Sequence, residues 1–238
     1  LARATTYYMR AYATNDVGTA YGHEERFTTD FANCGTVTDV EGNVYKTVVI
    51  GTQCWMRENL RTTQYADGTS ITYGESFPPS TTTAYYYYPS SPDNVPTYGL
   101  LYNWSAAMKN GNSSLLNPSG VQGVCPEGWH LPSRAEWNQL SDYVSSQPAY
   151  YCDENPDYIA KAFAATSGWE ETSGQCEVGN NLSANNATGL SMLPAGYVDN
   201  FGSYIAFSSI ATLWSATEDG MGGRSFFLQM SNSELQDF

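Results

Sequence analysis

Histidine, cysteine and carboxylate side chains are the groups in this sequence that could carry out chemistry. The chain has two histidines, His23 and His130. His130 lies between Trp129 and Leu131, a setting that favours a buried, hydrogen-bonded structural role, with proton transfer as the alternative. No combination of serine, histidine and aspartate typical of nucleophilic catalysis is visible. We therefore expect a protein that is not an enzyme and has no catalytic residue.

The cysteines form the second group: Cys34, Cys54, Cys125, Cys152 and Cys176. Their spacing matches neither a CxxC motif nor a zinc-ligand pattern, which favours disulfides over a metal site. Two pairs each bracket a local unit whose ends must approach, and this predicts bonds between Cys34 and Cys54 and between Cys152 and Cys176. Closing a loop of about twenty residues should stabilise the fold by roughly 3 kcal/mol. Cys125 is left over.

Acidic residues gather around the second cysteine pair. Their oxygen atoms could hold calcium, but no calcium-loop spacing appears, so a solvated acidic surface is the favoured interpretation. The residues are Asp153, Glu154, Asp157, Glu170, Glu171 and Glu177. We expect neither a metal nor a cofactor.

The charge balance limits the partners. Ten lysines and arginines stand against 24 aspartates and glutamates, giving a net charge of -14. Such a chain repels nucleic acid and anionic membranes. No apolar run is long enough to span a bilayer. The sequence shows no signal peptide, and at Leu1 it starts in the middle of a strand-like pattern. We expect a piece of a longer exported protein, located outside the cell or at its surface.

The elements that must position these groups are organised around residues 123–137. Ser133 and Glu136 form an S-x-x-E capping box, which predicts a helix start. Trp137, Leu140 and Val144 then form one apolar stripe. The residues expected towards solvent are Glu136, Asn138, Gln139 and Asp142. The residues expected to be nearly fully buried, and to touch Trp104 and Leu193, are Trp129, Leu131, Trp137 and Leu140.

Shorter elements flank this helix. Alternation predicts hairpins over residues 5–28 and 36–50. A helix is predicted over residues 100–109, stopped by a left-handed Gly111, and another from a cap at Asp157 to Thr166. The tyrosine run at residues 85–88 favours a strand, with ligand contact as the alternative. Antiparallel strands are predicted near residues 190–193, 204–208, 213–216 and 225–230.

Several motifs carry a family resemblance. They are IGTQCWMRENL (50–60), YGLLYNWSAAM (98–108), CPEGWHLPSRAEW (125–137), LPAGY (193–197) and LWSATE (213–218). From about Cys34 to its end, the chain resembles the Fibrobacter succinogenes major paralogous domain family. The resemblance implies a secreted or surface module with an α+β, C-type-lectin-like fold: two or three short helices, an antiparallel sheet and long loops. Residues 31–238 would form this domain. Residues 1–30 resemble the last hairpin of a fibronectin- or immunoglobulin-like domain.

Two related protein families have activities that this chain could share. GWHLPSRAEW resembles the RLPTEAEWE segment of formylglycine-generating enzymes, but those depend on redox-active cysteines late in the chain, and no cysteine follows Cys176. That oxidase activity is the weakest alternative. Sugar-binding C-type lectins hold calcium through a Pro-centred motif and a Trp-Asn-Asp motif. WSATE at residues 214–218 reproduces neither, so calcium-dependent sugar binding is not expected.

The segment after Glu218 is the predicted binding surface. Exposed aromatic, methionine and arginine side chains are favoured interface anchors. In C-type-lectin-like folds, including the variable proteins of diversity-generating retroelements that this chain also resembles, ligands bind here; an ordinary sheet edge is the alternative. Alternation separates Phe226, Leu228 and Met230 from Phe227 and Gln229. The predicted ligand-binding residues are Trp214, Met221, Arg224, Phe227, Gln229, Asn232 and Glu234.

The resulting hypothesis is an adhesion-type domain that binds a protein or glycan through residues 198–236. The alternative is a structural module of a bacterial surface fibre that assembles through the N-terminal hairpin, with self-association through exposed sheet edges. Members of the resembled family commonly end in a strand containing VRC. This implies that Cys125 has its partner beyond Phe238, and that it is here a reduced thiol beside an open sheet edge.

Overall fold

A computed structural model describes residues 6–28, 34–74, 82–199, 201–220 and 222–238. The strands are β1 (Thr6–Asn15), β2 (Gly18–Thr28), β3 (Thr36–Thr38), β4 (Val44–Ile50), β5 (Gln53–Met56), β6 (Thr72–Tyr73), β7 (Tyr85–Tyr87), β8 (Leu101–Tyr102), β9 (Tyr197–Val198), β10 (Tyr204–Ile205), β11 (Ile210–Glu218), β12 (Gly223–Gln229) and β13 (Gln236–Asp237). The helices are α1 (Val95–Tyr98), α2 (Trp104–Met108), α3 (Arg134–Ser145) and α4 (Ala160–Phe163), with 3-10 turns at Pro92–Asn94 and Leu182–Ala184.

The described strands form small separate sheets, and the few helices are short, so the class is α+β. The sheets are β1-β2, β3-β4-β5, β6-β7-β8, β9-β10 and β11-β12-β13. Neighbouring strands run antiparallel except β6 and β7, which pair in parallel. The antiparallel arrangement predicted for the C-terminal part is present in β9 to β13. Residues 190–193 contribute only one bridge there, a parallel one from Met192 to Ala164.

The N-terminal hairpin forms as the alternation predicts. β1 pairs with β2 from Thr6 opposite Thr28 to Asn15 opposite Gly18. Every side chain from Tyr8 to Arg26 is exposed, so both faces of the ribbon are open. The predicted boundary at residues 30–33 lies outside the described residues.

The capped helix α3 is confirmed and anchors the largest core. Ser133 accepts a hydrogen bond from the Glu136 amide, and Glu136 returns one to the Ser133 amide. Trp137, Leu140 and Val144 are all buried. The Trp137 ring stacks on Phe226 at 4.9 Å and lies 4.7 Å from Trp55. The stripe on α3 therefore packs against β12 and β5.

Three expectations about this region are wrong. Trp129 is only half-buried. Trp129 and Leu131 pack with Trp104 as predicted, but Trp137 and Leu140 lie in a separate cluster that does not include Trp104. Glu136 is buried because the capping box turns its side chain back over the helix start.

Two predicted helices are shorter than expected. Leu101 and Tyr102 pair with β7, so α2 begins only after Asn103, whose side chain accepts from the Ala106 amide. Lys109 and Asn110, with φ of 53° and 55°, end this helix, and Gly111 does not. Similarly, α4 begins after Ile159 rather than at Asp157, and it ends where Ala164 becomes extended and bridges Met192.

The structure joins Cys34 to Cys54 and Cys152 to Cys176, the two predicted pairs, with Cα separations of 6.2 Å and 5.6 Å. Cys125 is the free cysteine. It is buried against Met108, Leu131 and Ala216, and burial raises the pKa of its thiol to about 12. Cys125 is free as predicted, but it lies in the core rather than at an open sheet edge, and the end of β11 beside it is covered by backbone hydrogen bonds from Ser114 and to Pro132.

Candidate functional site

Hydrogen bonds from two tryptophans connect the middle of the chain to its C-terminal sheet. The Trp214 indole Nε1 donates to the Tyr102 carbonyl at 2.7 Å. The Trp104 Nε1 donates to the Ser215 carbonyl at 3.1 Å. Each indole thus satisfies a backbone acceptor of the other segment, which holds α2 and β8 against β11.

Gly223 completes this junction. A Cβ atom at residue 223 would overlap the Trp104 indole ring, so the first residue of β12 must be glycine for the backbone to lie against that ring. The start of β12 is thereby held close to α2.

A large cleft of about 1410 Å³ opens at this junction. Trp104, Trp129 and Trp214 line it together with the C-terminal Phe238 and the loop at Tyr197. Phe238 reaches it because its backbone pairs with Ser225 through two hydrogen bonds of 2.8 and 2.9 Å. The cleft, which we call the tryptophan cleft, therefore combines aromatic walls with backbone from the C-terminal strands.

His130 and Glu136 form one wall of the cleft. His130 Nε2 lies 2.6 Å from Glu136 Oε1, while Glu136 Oε2 accepts from the amides of Ser119 and Ser133 at 3.0 Å each. Burial raises the pKa of Glu136, but the hydrogen bonds from His130 and the two amides outweigh it, so the pKa lies below its usual value. This geometry agrees with the hydrogen-bonded role expected for His130. The side chain is not buried as expected, because 37% of its surface is exposed.

The Fibrobacter succinogenes major domain matches residues 48–234. The chain belongs to this family. The matched part of the major domain contains α3 and most of the residues that line the tryptophan cleft. No curated protein and no solved structure matches the chain.

The predicted ligand-binding residues of this major domain do not form one cluster. Trp214 lines the cleft. Phe227 lies farther along the same face of the sheet, opposite Thr212, and is half-buried. Gln229 lies on that face too, opposite Ile210. These three residues follow one face because β11 and β12 pair in regular register.

The remaining predicted residues lie elsewhere. Arg224 is on the opposite face from Phe227, where its guanidinium lies 3.7 Å from Asp219 and 3.4 Å from Asp237. Asn232 accepts from the Glu234 amide at 3.0 Å and shapes the turn after β12. Glu234 is exposed. Met221 lies outside the described residues. Arg224 and Phe227 therefore cannot contact one ligand group together, contrary to the expectation of a shared surface.

The tyrosine run forms the predicted strand, β7. Tyr87 is buried, whereas Tyr86 and Tyr88 are half-buried and lie with Tyr73 in a ring cluster with centroid distances of 4.8 to 6.1 Å. Burial and the neighbouring Tyr73 raise the pKa of Tyr204 to about 12. The tyrosine run itself favours a strand, but the approach of Tyr204 depends on the tertiary fold.

The acidic residues near the second disulfide serve local turns or face solvent. Glu177, for example, accepts from the Gly174 amide at 3.0 Å. Within the ranges that the structure describes, no group of three His, Cys, Asp or Glu residues could hold a metal ion. In the same ranges, no helix is both long and apolar enough to cross a membrane.

Sequence reasoning missed two functional candidates. One is the wall formed by His130 and Glu136, whose signal was present in the capping box. The other is a second, polar cleft that contains Lys46, Arg57 and Arg61. These residues lie on different segments, and no local pattern unites them.

Proposed function

We propose that this major domain is an adhesion-type binding domain, exported to the cell surface or beyond, that recognises a protein or glycan through its C-terminal strands and loops. In this proposal its sheets and loops follow a C-type-lectin-like arrangement. The observation that carries it is the continuity of Trp214, Thr212 and Phe227 along one sheet face that runs into the tryptophan cleft.

The composition of this surface supports binding. Aromatic rings give large contact areas at a small cost in side-chain entropy, and such residues dominate interface energies. Trp104 and Trp214 are held by indole hydrogen bonds, so their rings are fixed before a ligand arrives. A preorganised surface loses less entropy on binding.

The same groups support a role without catalysis. The one free thiol, Cys125, is buried and its raised pKa disfavours the thiolate that an oxidase would need. Glu136 already holds two backbone amides and His130, which fits a structural carboxylate. Formylglycine-generating chemistry therefore has little support in these residues.

The disulfides support export. Two disulfides indicate an oxidising environment, because cytosolic thiols are kept reduced. A location at the cell surface or outside the cell follows as part of the proposal.

Binding to glycan and protein arrays tests the proposed function. We expect the wild-type chain to bind a defined set of ligands and Phe227→Ala to lose at least tenfold in affinity, as truncated interface anchors do. Tyr12→Ala removes another aromatic ring, 71% exposed on the hairpin, and serves as the matched control. Equal binding by wild type and Phe227→Ala would place the ligand elsewhere.

A fibre-assembly role is the second candidate, and the hairpin favours it. Tyr8, Tyr12 and Tyr21 are each more than 60% exposed on a ribbon whose faces are both open. Exposed apolar strands are ready to pair with another chain. We expect sedimentation of the wild-type chain to show concentration-dependent association that Tyr12→Glu combined with Tyr21→Glu removes. A monomer at all concentrations would contradict self-assembly through the hairpin.

A further inference from the structure

A second cleft lies beside the tryptophan cleft and differs from it in chemistry. Its volume is about 410 Å³ and its lining is mainly polar. Four segments meet there: the β4-β5 region, the loop at residues 96–99, and the segments at 165–167 and 186–193. Residues 57–59 line both clefts, so the two share a wall.

The charge in this cleft opposes that of the whole chain. Lys46, Arg57 and Arg61 line it, against the single carboxylate of Glu58. These are three of the ten basic residues in a chain of net charge -14. Concentrating cations in a cavity raises the local concentration of anions, an effect that low-dielectric walls strengthen.

The Arg61 guanidinium already has several partners within the protein. Its guanidinium donates to Asn43 Oδ1 at 3.3 Å and to the Val44 carbonyl at 3.0 Å, and it lies over the Tyr45 ring at 4.6 Å. Glu58, 3.9 Å away, lies beside the same guanidinium. Glu58 Oε2 also accepts from the Lys46 amide at 3.4 Å, so the one carboxylate of the cleft is held by the Arg61 guanidinium and by the backbone of β4.

The side chains of Arg57 and Lys46 differ from that of Arg61 in their partners. Among the described residues, the side chains of Arg57 and Lys46 have no hydrogen-bond or ion-pair partner, and Arg57 Nε is buried. The Arg57 amide donates to the Lys46 carbonyl at 2.9 Å, which sets the two residues side by side. A buried donor without an acceptor is costly, and a guanidinium that lacks protein partners is free to pair with an anion.

Hydroxyl groups complete the lining. Thr97, Thr166 and Ser167 are exposed at the cleft. Asn59 also lines it, but its amide nitrogen already donates to the Tyr98 carbonyl at 2.9 Å. Such hydroxyl groups exchange hydrogen bonds with a polyhydroxylated ligand, and the cavity volume falls in the range of small-molecule sites. A flat interface for a folded partner would be far larger.

We infer that this polar cleft binds an anionic saccharide, with a carboxylate or sulfate group on Arg57 and Lys46 and sugar hydroxyls on Thr166 and Ser167. The planar guanidinium matches either oxyanion in a bidentate manner, and the ammonium adds a point charge. This site is separate from the proposed contact at Phe227 and does not depend on it.

Titration calorimetry of the full chain at low salt tests the inference. Two probes are charged saccharides: an oligogalacturonate, and an oligosaccharide of uncharged sugars that carries sulfate groups. The unsulfated form of the second is the neutral control, and a short polyglutamate is the non-saccharide anion. We expect at least one charged saccharide to bind, with an affinity that falls as salt rises. The carboxylated and sulfated probes show which oxyanion is preferred.

Matched variants locate the site. Arg57→Gln and Lys46→Gln should each weaken binding about tenfold, as loss of a charged hydrogen bond does. Arg10→Gln removes the same charge from the hairpin and should leave the affinity unchanged, as should Phe227→Ala. Lys46 is exposed, so its variant remains informative if Arg57→Gln unfolds.

Three results would overturn the inference. These are equal binding of the neutral oligosaccharide, affinities unchanged in both Arg57→Gln and Lys46→Gln, or binding of polyglutamate in place of the saccharides. Failure of Phe227→Ala to affect the array ligands would bear on the proposed function alone.

Discussion

The carboxylate of Glu136 joins the start of α3 to His130, with Nε2 and Oε1 2.6 Å apart. Because Glu136 also holds the amides of Ser119 and Ser133, one side chain couples a helix cap, a loop and a wall of the tryptophan cleft. The fold and the candidate site thus share this residue.

Glu136→Gln should destabilise the protein by about 1 to 3 kcal/mol at pH 7, since it removes the charge from several buried hydrogen bonds. The pKa of Glu136 is lower in the folded state than its usual 4.5. The stabilisation by Glu136 is therefore complete above pH 4.5 and is lost as the pH falls through the folded pKa. Urea unfolding at pH 7 and at successively lower pH should show the difference between wild type and variant shrinking. A constant difference would contradict this role.

The Cys125 thiol should not react with a thiol reagent in the folded protein at pH 8. Burial raises its pKa to about 12, so both access and thiolate are lacking. With the disulfides intact, denaturant should release one equivalent of reactive thiol. Cys125→Ser, as the control, should release none, and rapid labelling of the native chain would show that the thiol is accessible.

Trp137→Ala should lower stability by about 3 to 5 kcal/mol, because it opens a cavity between Trp55 and Phe226. Phe227→Ala should cost about 1 kcal/mol, as Phe227 is only half-buried on the outer face of its sheet. Thermal melts of both variants provide the comparison. Similar losses would mean that Phe227 is a core residue and not a binding residue.

Gly223→Ala should destabilise by about 1 to 3 kcal/mol, because the new methyl group overlaps the Trp104 indole. The same substitution at Gly22, where a Cβ meets the Ala11 carbonyl oxygen at 3.4 Å, is the control and should have little effect. Denaturant melts and tryptophan fluorescence measure both. An unchanged melt and emission spectrum for Gly223→Ala would show that the junction is loosely packed.

Local sequence patterns predicted the structure correctly where it depends on residues that are close together in the chain. The capping box and apolar stripe of α3, the hairpin turns and the two disulfides around short loops all follow from contacts between residues close in sequence. Helix lengths were less predictable. At Leu101 and Tyr102 the helical pattern continues, but pairing with β7 offers hydrogen bonds that the sequence alone does not reveal.

The sequence by itself determined the family, the class of fold, the position of the main helix and the disulfide pairs. Only the tertiary structure decided that Glu136 is buried against His130, and that the indoles of Trp104 and Trp214 donate to distant backbone carbonyls. It also decided that Lys46 and Arg57 share a cleft with residues 165–167. The reason is physical: these arrangements depend on strand register and loop closure between segments far apart in the chain, which local propensity does not encode.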